Sequence, residues 1–258
     1  MEPHLITRQK YPERIWDIEK FLEKENKMST EVTKKEVNLP ANIVESPWGA
    51  EGTSQTDMII PRLMLMQALS DFVSKGSATP GDIVESINGE VVAKKTQPLE
   101  VIAIVTHKEW WKFEMVQNKW EFRERVPYGP HNADWKYEET VNGTNWRNDA
   151  ALNFFVILPN RLDGLPHLLT FRRSNYYAGK KLSTHFQISA MKKMPPAASV
   201  FTLQSQSTTV DKNTFWTFDI KKSRESTKQE LATAYEWYQM LTKKPIKADD
   251  AADETVPF

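Results

Sequence analysis

The sequence predicts a mainly β fold with a few helices (α+β), and three observations carry that expectation. From Ile59 onward, short β-branched and aromatic runs are separated by turn signals. Only two stretches within that region have helical spacing. The second of them ends at a proline and is followed by a short acidic segment with no apolar periodicity.

In chain order, residues 1–57 come first. Residues 1–27 alternate charges around Ile15, Trp16, Ile18, Phe21 and Leu22. They fit either a short amphipathic helix or translated sequence upstream of a natural start at Met28. Residues 29–57 are polar, contain Pro40, Pro47 and Gly52, and read as a flexible leader. Ile59–Leu69 is apolar but interrupted by Pro61 and Arg62. Asp82–Ile87 and Val91–Ala93 flank Asn88-Gly89, the strongest short hairpin signal, because both residues tolerate positive φ. Leu99–Thr106 is one β-branched run. Trp110–Val116 and Trp120–Val126 straddle a Gln117-Asn118 turn, and Asn142-Gly143 marks another. Leu152–Leu158 is apolar on both faces, as a central strand is. His167–Arg173 follows, and Phe201–Thr208 with Thr214–Ile220 forms a last hairpin around Asp211-Lys212-Asn213.

The first helix is expected over Ser174–Ala190. The second is expected over Ser226–Leu241, with Ser226 and Gln229 as a capping box. Leu231, Ala234, Tyr235, Tyr238 and Leu241 give it one apolar stripe, and Pro245 ends it. Many short strands with one inserted helix favour a small β-barrel, OB-like as first choice, across residues 58–222. A C-terminal helix (223–244) and a disordered acidic tail (245–258) complete the expected organisation.

The chain has no cysteine, which excludes disulfides and thiolate metal sites and fits a reducing compartment. No apolar run reaches the roughly 18 residues of a membrane span, and residues 1–20 lack a secretory apolar core. A cytoplasmic protein is expected. The formal net charge is zero, yet the charge is segregated. Between Arg161 and Arg224 eleven Lys/Arg face three acids, whereas residues 249–258 hold Asp249, Asp250, Asp253 and Glu254 and no base. A basic block with an acidic end points to a polyanion site and a segment that imitates its ligand.

Catalytic signatures are missing. Gly179-Lys180-Lys181 lacks the first glycine and the following Ser/Thr of a phosphate loop. His4, His107, His131, His167 and His185 are scattered without metal-ligand spacing. No nucleophile elbow occurs, and no cofactor is expected.

The aromatic content is more informative. Seven of nine tryptophans lie between Trp110 and Trp237. Period-two spacing places Trp111, Phe113 and Met115 on one face of a strand and Trp110, Lys112 and Glu114 on the other. One tryptophan of the pair is thus expected toward solvent or a ligand. Single-stranded nucleic acid is held by aromatic platforms for bases and by Lys/Arg rows for phosphates. Arg172, Arg173, Tyr176, Tyr177, Lys180 and Lys181 place both types within ten residues, and Lys192, Lys193, Lys221 and Lys222 extend the basic supply. With Trp110 and Lys112, these are the candidate nucleic-acid-binding residues.

The last ten residues run Asp249-Asp250-Ala251-Ala252-Asp253-Glu254-Thr255-Val256-Pro257-Phe258. This acidic run ending in Pro-Phe resembles the C-terminal tips of bacterial single-stranded-DNA-binding proteins. The resemblance implies a partner site in which Phe258 and Pro257 fill an apolar pocket and the four acids meet basic residues at its rim. A second resemblance covers Ile59–Val92, where Ile60-Pro61-Arg62-Leu63-Met64-Leu65-Met66 and Ala78-Thr79-Pro80-Gly81-Asp82 look like the opening of an uncharacterised tailed-phage family. Together they imply a phage replication or recombination protein that coats single-stranded DNA, possible as a homo-oligomer, and recruits other proteins. A single-strand annealing protein, and a virion or host-takeover protein acting only on other proteins, are the rival readings.

Overall fold

The computed structural model describes residues 58–210 and 213–243, and the backbone of 247–248. The expected leader, residues 249–258 of the acidic tail and turn residues 211–212 lie outside the described residues, whereas Lys247–Ala248, expected in the disordered tail, form a short strand paired in parallel with Ile59–Ile60. The fold is mixed α/β, mostly strands. In chain order they are β1 (Ile59–Ile60), β2 (Arg62–Leu65), β3 (Ile83–Glu85), β4 (Val91–Ala93), β5 (Leu99–Val116), β6 (Lys119–Pro127), β7 (Glu138–Val141), β8 (Thr144–Ile157), β9 (His167–Arg172), β10 (Ser199–Val210), β11 (Asn213–Glu225) and β12 (Lys247–Ala248). Among the described residues three α-helices intervene: α1 (Asp71–Ser74), α2 (Tyr176–Met191) and α3 (Lys228–Lys243). No helix among the described residues is long and apolar enough to cross a membrane.

The long antiparallel pair β5–β8 is the spine, with twelve residues of each in register from Ile102↔Ile157 to Glu114↔Trp146. Its lower half carries the body sheet, ordered β11-β10-β5-β8-β9-β2-β3-β4. Its upper half carries a four-stranded arm, because β6 pairs with β5 beyond Glu109 and β7 pairs with β8 before Asn148. The sequence pattern divides β5 into two strands, but the structure makes it one. The register shift between Ala103 and Val105 explains the difference, since a bulge switches the side-chain phase within one continuous strand. The same switch puts odd-numbered Leu99, Val101 and Ala103 on the face that even-numbered Lys108, Trp110 and Lys112 share above it.

One core gathers Leu63, Ile83, Leu99, Val101, Phe154, Phe171, Leu203 and Phe218 with Ala178 and Leu182 of α2. Residues from nearly every body strand meet in it, so the sheet wraps around α2. Gly179 is required here, because a Cβ would stand 2.6 Å from Phe171. The opposite face packs Ile102, Ile104, Ile157 and Val200 against Leu231, Ala234 and Trp237 of α3.

The sheet stays open: its path ends at β11 and β4, and no strand pairing among the described residues joins them into the expected barrel. A side chain instead links β11 to the segment that follows β2. Gln67, just past β2, donates from its amide to Trp216 O (3.0 Å) and accepts from Trp216 N (2.8 Å), as a neighbouring strand would. The Trp216 ring lies against Gly81, where a Cβ would stand 2.5 Å away and φ is +91°.

Turns and caps follow local chemistry with two differences. Gln117-Asn118 and Asn142-Gly143 both have positive φ at each residue, as two-residue hairpin turns require. At Asn88-Gly89 only Gly89 does, and Gly89 N bonds Glu85 O in a wider loop. The capping box of α3 is Thr227 with Glu230, one residue later than expected. Thr227 Oγ1 accepts from Glu230 N, and Glu230 accepts from Thr227 N at 2.7 Å. Ser226 is engaged elsewhere, donating to Ala197 O. Arg224 binds the Glu230 carboxylate with both terminal nitrogens, and that pairing holds its pKa down to about 2. The buried stripe of α3 accordingly includes Trp237, while Tyr238 is exposed.

Candidate nucleic-acid interface

The pleat separates the candidate residues into two groups. Arg172 pairs across β9–β8 with Ala151, and Ala151 shares a cluster with Trp111 and Phe113. Lys108 pairs with Leu152, which belongs to the α2 core. Cross-strand partners share a face. Arg172 and Arg173 therefore lie on the α3 side of the sheet, and Lys108, Trp110, Lys112 and α2 lie on the other.

On the α3 side, arginines converge on one carboxylate. Asp149, with a side chain 1 % exposed, accepts from Arg173 Nε (2.6 Å) and Arg172 Nη1 (3.4 Å), and Arg147 Nε is 3.5 Å away. The Arg125 and Arg172 guanidiniums lie 4.5 and 4.3 Å from the centre of the buried Trp111 ring. The Trp111 indole N–H donates to Glu109 (2.6 Å). Arg125, Arg147, Arg172 and Arg173 make further contacts as well. A polar row continues down this face, from Arg62 to Thr170, Thr170 to Asn153, and Asn153 to His107. Burial pushes the Arg147 pKa down, and nearby Arg173 adds to that.

On the α2 side, lysines lie over aromatic rings. Lys108 Nζ is 3.6 Å from the Tyr128 ring centre and 5.4 Å from that of Trp110. Lys112 Nζ is 4.5 Å from Trp146 and 5.0 Å from Trp135, and it also meets Glu124 (3.3 Å). Trp110 itself is buried, its N–H donating to Asn132 O (3.0 Å) in the loop between β6 and β7. Both tryptophans of the Trp110-Trp111 pair are thus inside, contrary to expectation, because that loop covers one face of the arm and side chains from β6 and β9 cover the other. Tyr128 and Tyr177 are exposed, at 39 % and 70 %, and Tyr176, Trp135 and Trp146 are half-buried.

The arm joins α2 on this side. Burial and neighbouring Lys180 push the Lys108 pKa down, and burial together with Tyr128 pushes that of Tyr176 up. Lys180 Nζ lies 5.3 Å from the Tyr176 ring, and Lys181 Nζ lies 5.6 Å from that of Tyr177. Lys181 and Lys221 both meet Asp219, while Lys222 pairs with Glu225. Lys192 and Lys193 are exposed at the far end of α2, away from the arm. The structure thus brings Tyr176, Tyr177, Lys180 and Lys181 together near Lys108, places Lys112 with Trp135 and Trp146 on the same side of the arm, links Lys181 to Lys221 through Asp219, and sets Arg172 and Arg173 apart. Lys108, Tyr128, Trp135 and Trp146 are additions; strict alternation of Lys108 with Trp110 and Lys112 was the available signal for the first.

A family model described as Pam3 phage gp34-like protein matches residues 32–247. The chain belongs to the Pam3 phage gp34-like family. No curated protein and no solved structure is matched. The gp34-like match covers the spine, both faces of the arm and all three helices, and it ends before Asp249. The phage origin implied by Ile59–Val92 is therefore sound, and the acidic tail rests on its own resemblance.

Proposed function

We propose that this gp34-like protein binds single-stranded DNA, without sequence preference, on the lysine–aromatic surface formed by the arm and the start of α2. The carrying observation is the interleaving of Lys108 and Lys112 with Tyr128, Trp135 and Trp146, continued by Tyr176, Tyr177 and Lys180 on the same side of the sheet. A cation over a partly exposed ring contributes about 0.5–1 kcal/mol. A base stacked on such a ring contributes about 1–3 kcal/mol, and the released lysine takes up a phosphate. Exchanging intramolecular lysine–ring contacts for base–ring and lysine–phosphate contacts is therefore favourable. Duplex DNA hides its base faces and offers only the phosphate half of that exchange.

In this reading the protein acts by stoichiometric binding, not catalysis, in replication or recombination in the host cytoplasm. Its frame is OB-like, with α2 in the mouth of a curled sheet open at one seam. Asp249, Asp250, Asp253, Glu254, Pro257 and Phe258 recruit a partner protein, a role carried by their resemblance to bacterial tips. Changing Phe258 to Ala should lose that partner in a pull-down from infected-cell lysate and leave DNA affinity unchanged. The central test is a gel shift with single-stranded DNA, duplex DNA and RNA. Single strands should bind tightest, with affinity falling steeply as salt rises. Equal affinity for duplex and single strand, or no binding at about 50 mM salt, would overturn the reading.

A further inference from the structure

The surface continues past Tyr177 to a place where two lysines of different elements meet one carboxylate. Lys181 of α2 reaches Asp219 Oδ1 at 3.2 Å, and Lys221 of β11 reaches Oδ2 at 3.0 Å. Each oxygen takes one ammonium, the arrangement two oxygens of a phosphate would adopt. The lysine side chains are 42 % and 77 % exposed, against 24 % for Asp219. Lys181 also lies 5.6 Å from the Tyr177 ring, whose exposure leaves it open to a stacking base. Base platform and phosphate contact are thus adjacent, as a single strand requires.

We propose that Lys181 and Lys221 form a phosphate seat of the single-strand path, and that Asp219 occupies it when no strand is bound. The proposal rests on the single-stranded-DNA reading above and adds a regulating residue to it. Asp219 holds the two flexible ammonium groups together before binding and repels the incoming phosphate that replaces it. It sets affinity below what the lysines alone would give, which keeps the strand exchangeable. The two lysines hold the Asp219 carboxyl below its ordinary range, so it remains charged at neutral pH. As a partly exposed surface ion pair, the trio contributes little to folding, so its effect on binding can be isolated.

The experiment is a fluorescence-anisotropy titration of labelled oligo-dT with the full-length chain at several salt concentrations. Asp219→Asn keeps the size and shape of the side chain and removes its charge. It should bind about fivefold tighter at low salt, the repulsion between unit charges 4 Å apart in bulk water. The dependence of log affinity on log salt should steepen by about 0.7 for each additional phosphate neutralised. In a Lys181→Gln, Lys221→Gln background the same substitution should leave affinity unchanged. A wild-type affinity in Asp219→Asn, or a tightening that persists without the lysines, would overturn the seat while leaving the wider reading intact. A wild-type chain that does not bind oligo-dT overturns both.

Discussion

On one face of the arm, arginines from β6, β8 and β9 gather around buried Asp149 and the rings of Trp111 and Phe113. On the other, Lys108 and Lys112 lie over Tyr128, Trp135 and Trp146, and Lys108 feels the charge of Lys180 in α2. Both faces combine cations with aromatic rings, the pattern sought for nucleic acid. They differ in what fixes the cation. A guanidinium bonded to a buried carboxylate is held in place and cannot be given up to a ligand without stranding the carboxylate. A lysine over a half-exposed ring is held weakly and can be surrendered. Cations beside aromatics are thus a sign of either scaffold or site, and burial of the counter-charge separates the two.

The largest effect should come from the scaffold side. Removing the carboxylate with Asp149→Ala leaves buried guanidiniums around an empty position and should cost about 3–5 kcal/mol of stability in urea unfolding. A variant as stable as the wild type would make the arginine face a ligand site after all.

Acid offers a test that belongs to neither face. Burial lowers the His167 pKa to about 4. The unfolded chain then binds more protons between about pH 6.5 and pH 4, so stability should be full above that window and fall by about 3 kcal/mol through it. Lysines and arginines keep their charge there, so DNA affinity per folded molecule should not follow the loss. His167→Gln should flatten the pH dependence of the melting temperature. A wild-type profile that is flat from pH 6.5 to 4 would contradict the assignment.

On the ligand side the effects are smaller and appear in binding alone. Tyr177→Ala should cost about 1–3 kcal/mol of single-strand affinity. Replacing Lys108 and Lys112 by Gln should weaken binding about tenfold at low salt and reduce the salt slope by about 1.4, for two phosphates no longer neutralised. Melting temperatures should stay near wild type in both. If instead the double-lysine variant melts early and its folded fraction binds normally, the two faces have been assigned the wrong way round.

Most strands are legible in the sequence because their apolar runs and turn residues agree, as at Gln117-Asn118 and along β8. What escapes depends on residues distant in sequence. The bulge near Ala103 joins two runs into one strand and sets the phase that places Lys108 beside α2. The end of β2 is joined to β11 by Gln67, a residue no strand pattern would single out, through both backbone groups of Trp216. Arg172 and Tyr176 look like one cluster because they are four residues apart. The chain changes from strand to helix between them, through a turn in which Arg173 has φ of +51°, so their side chains emerge on opposite faces. The Lys–aromatic composition of the site is readable, whereas its partition by the pleat is not.

The central claim, that the lysine–aromatic face is where DNA lies, is tested most directly by ultraviolet cross-linking. The full-length chain would be irradiated with bromodeoxyuridine-substituted oligo-dT, and the joined peptides mapped by mass spectrometry. The account predicts cross-links at Tyr128, Trp146 and Tyr177, lost when unlabelled oligo-dT competes. Cross-links confined to the opposite face, at Trp120 or Phe122 beside the arginines, would contradict it.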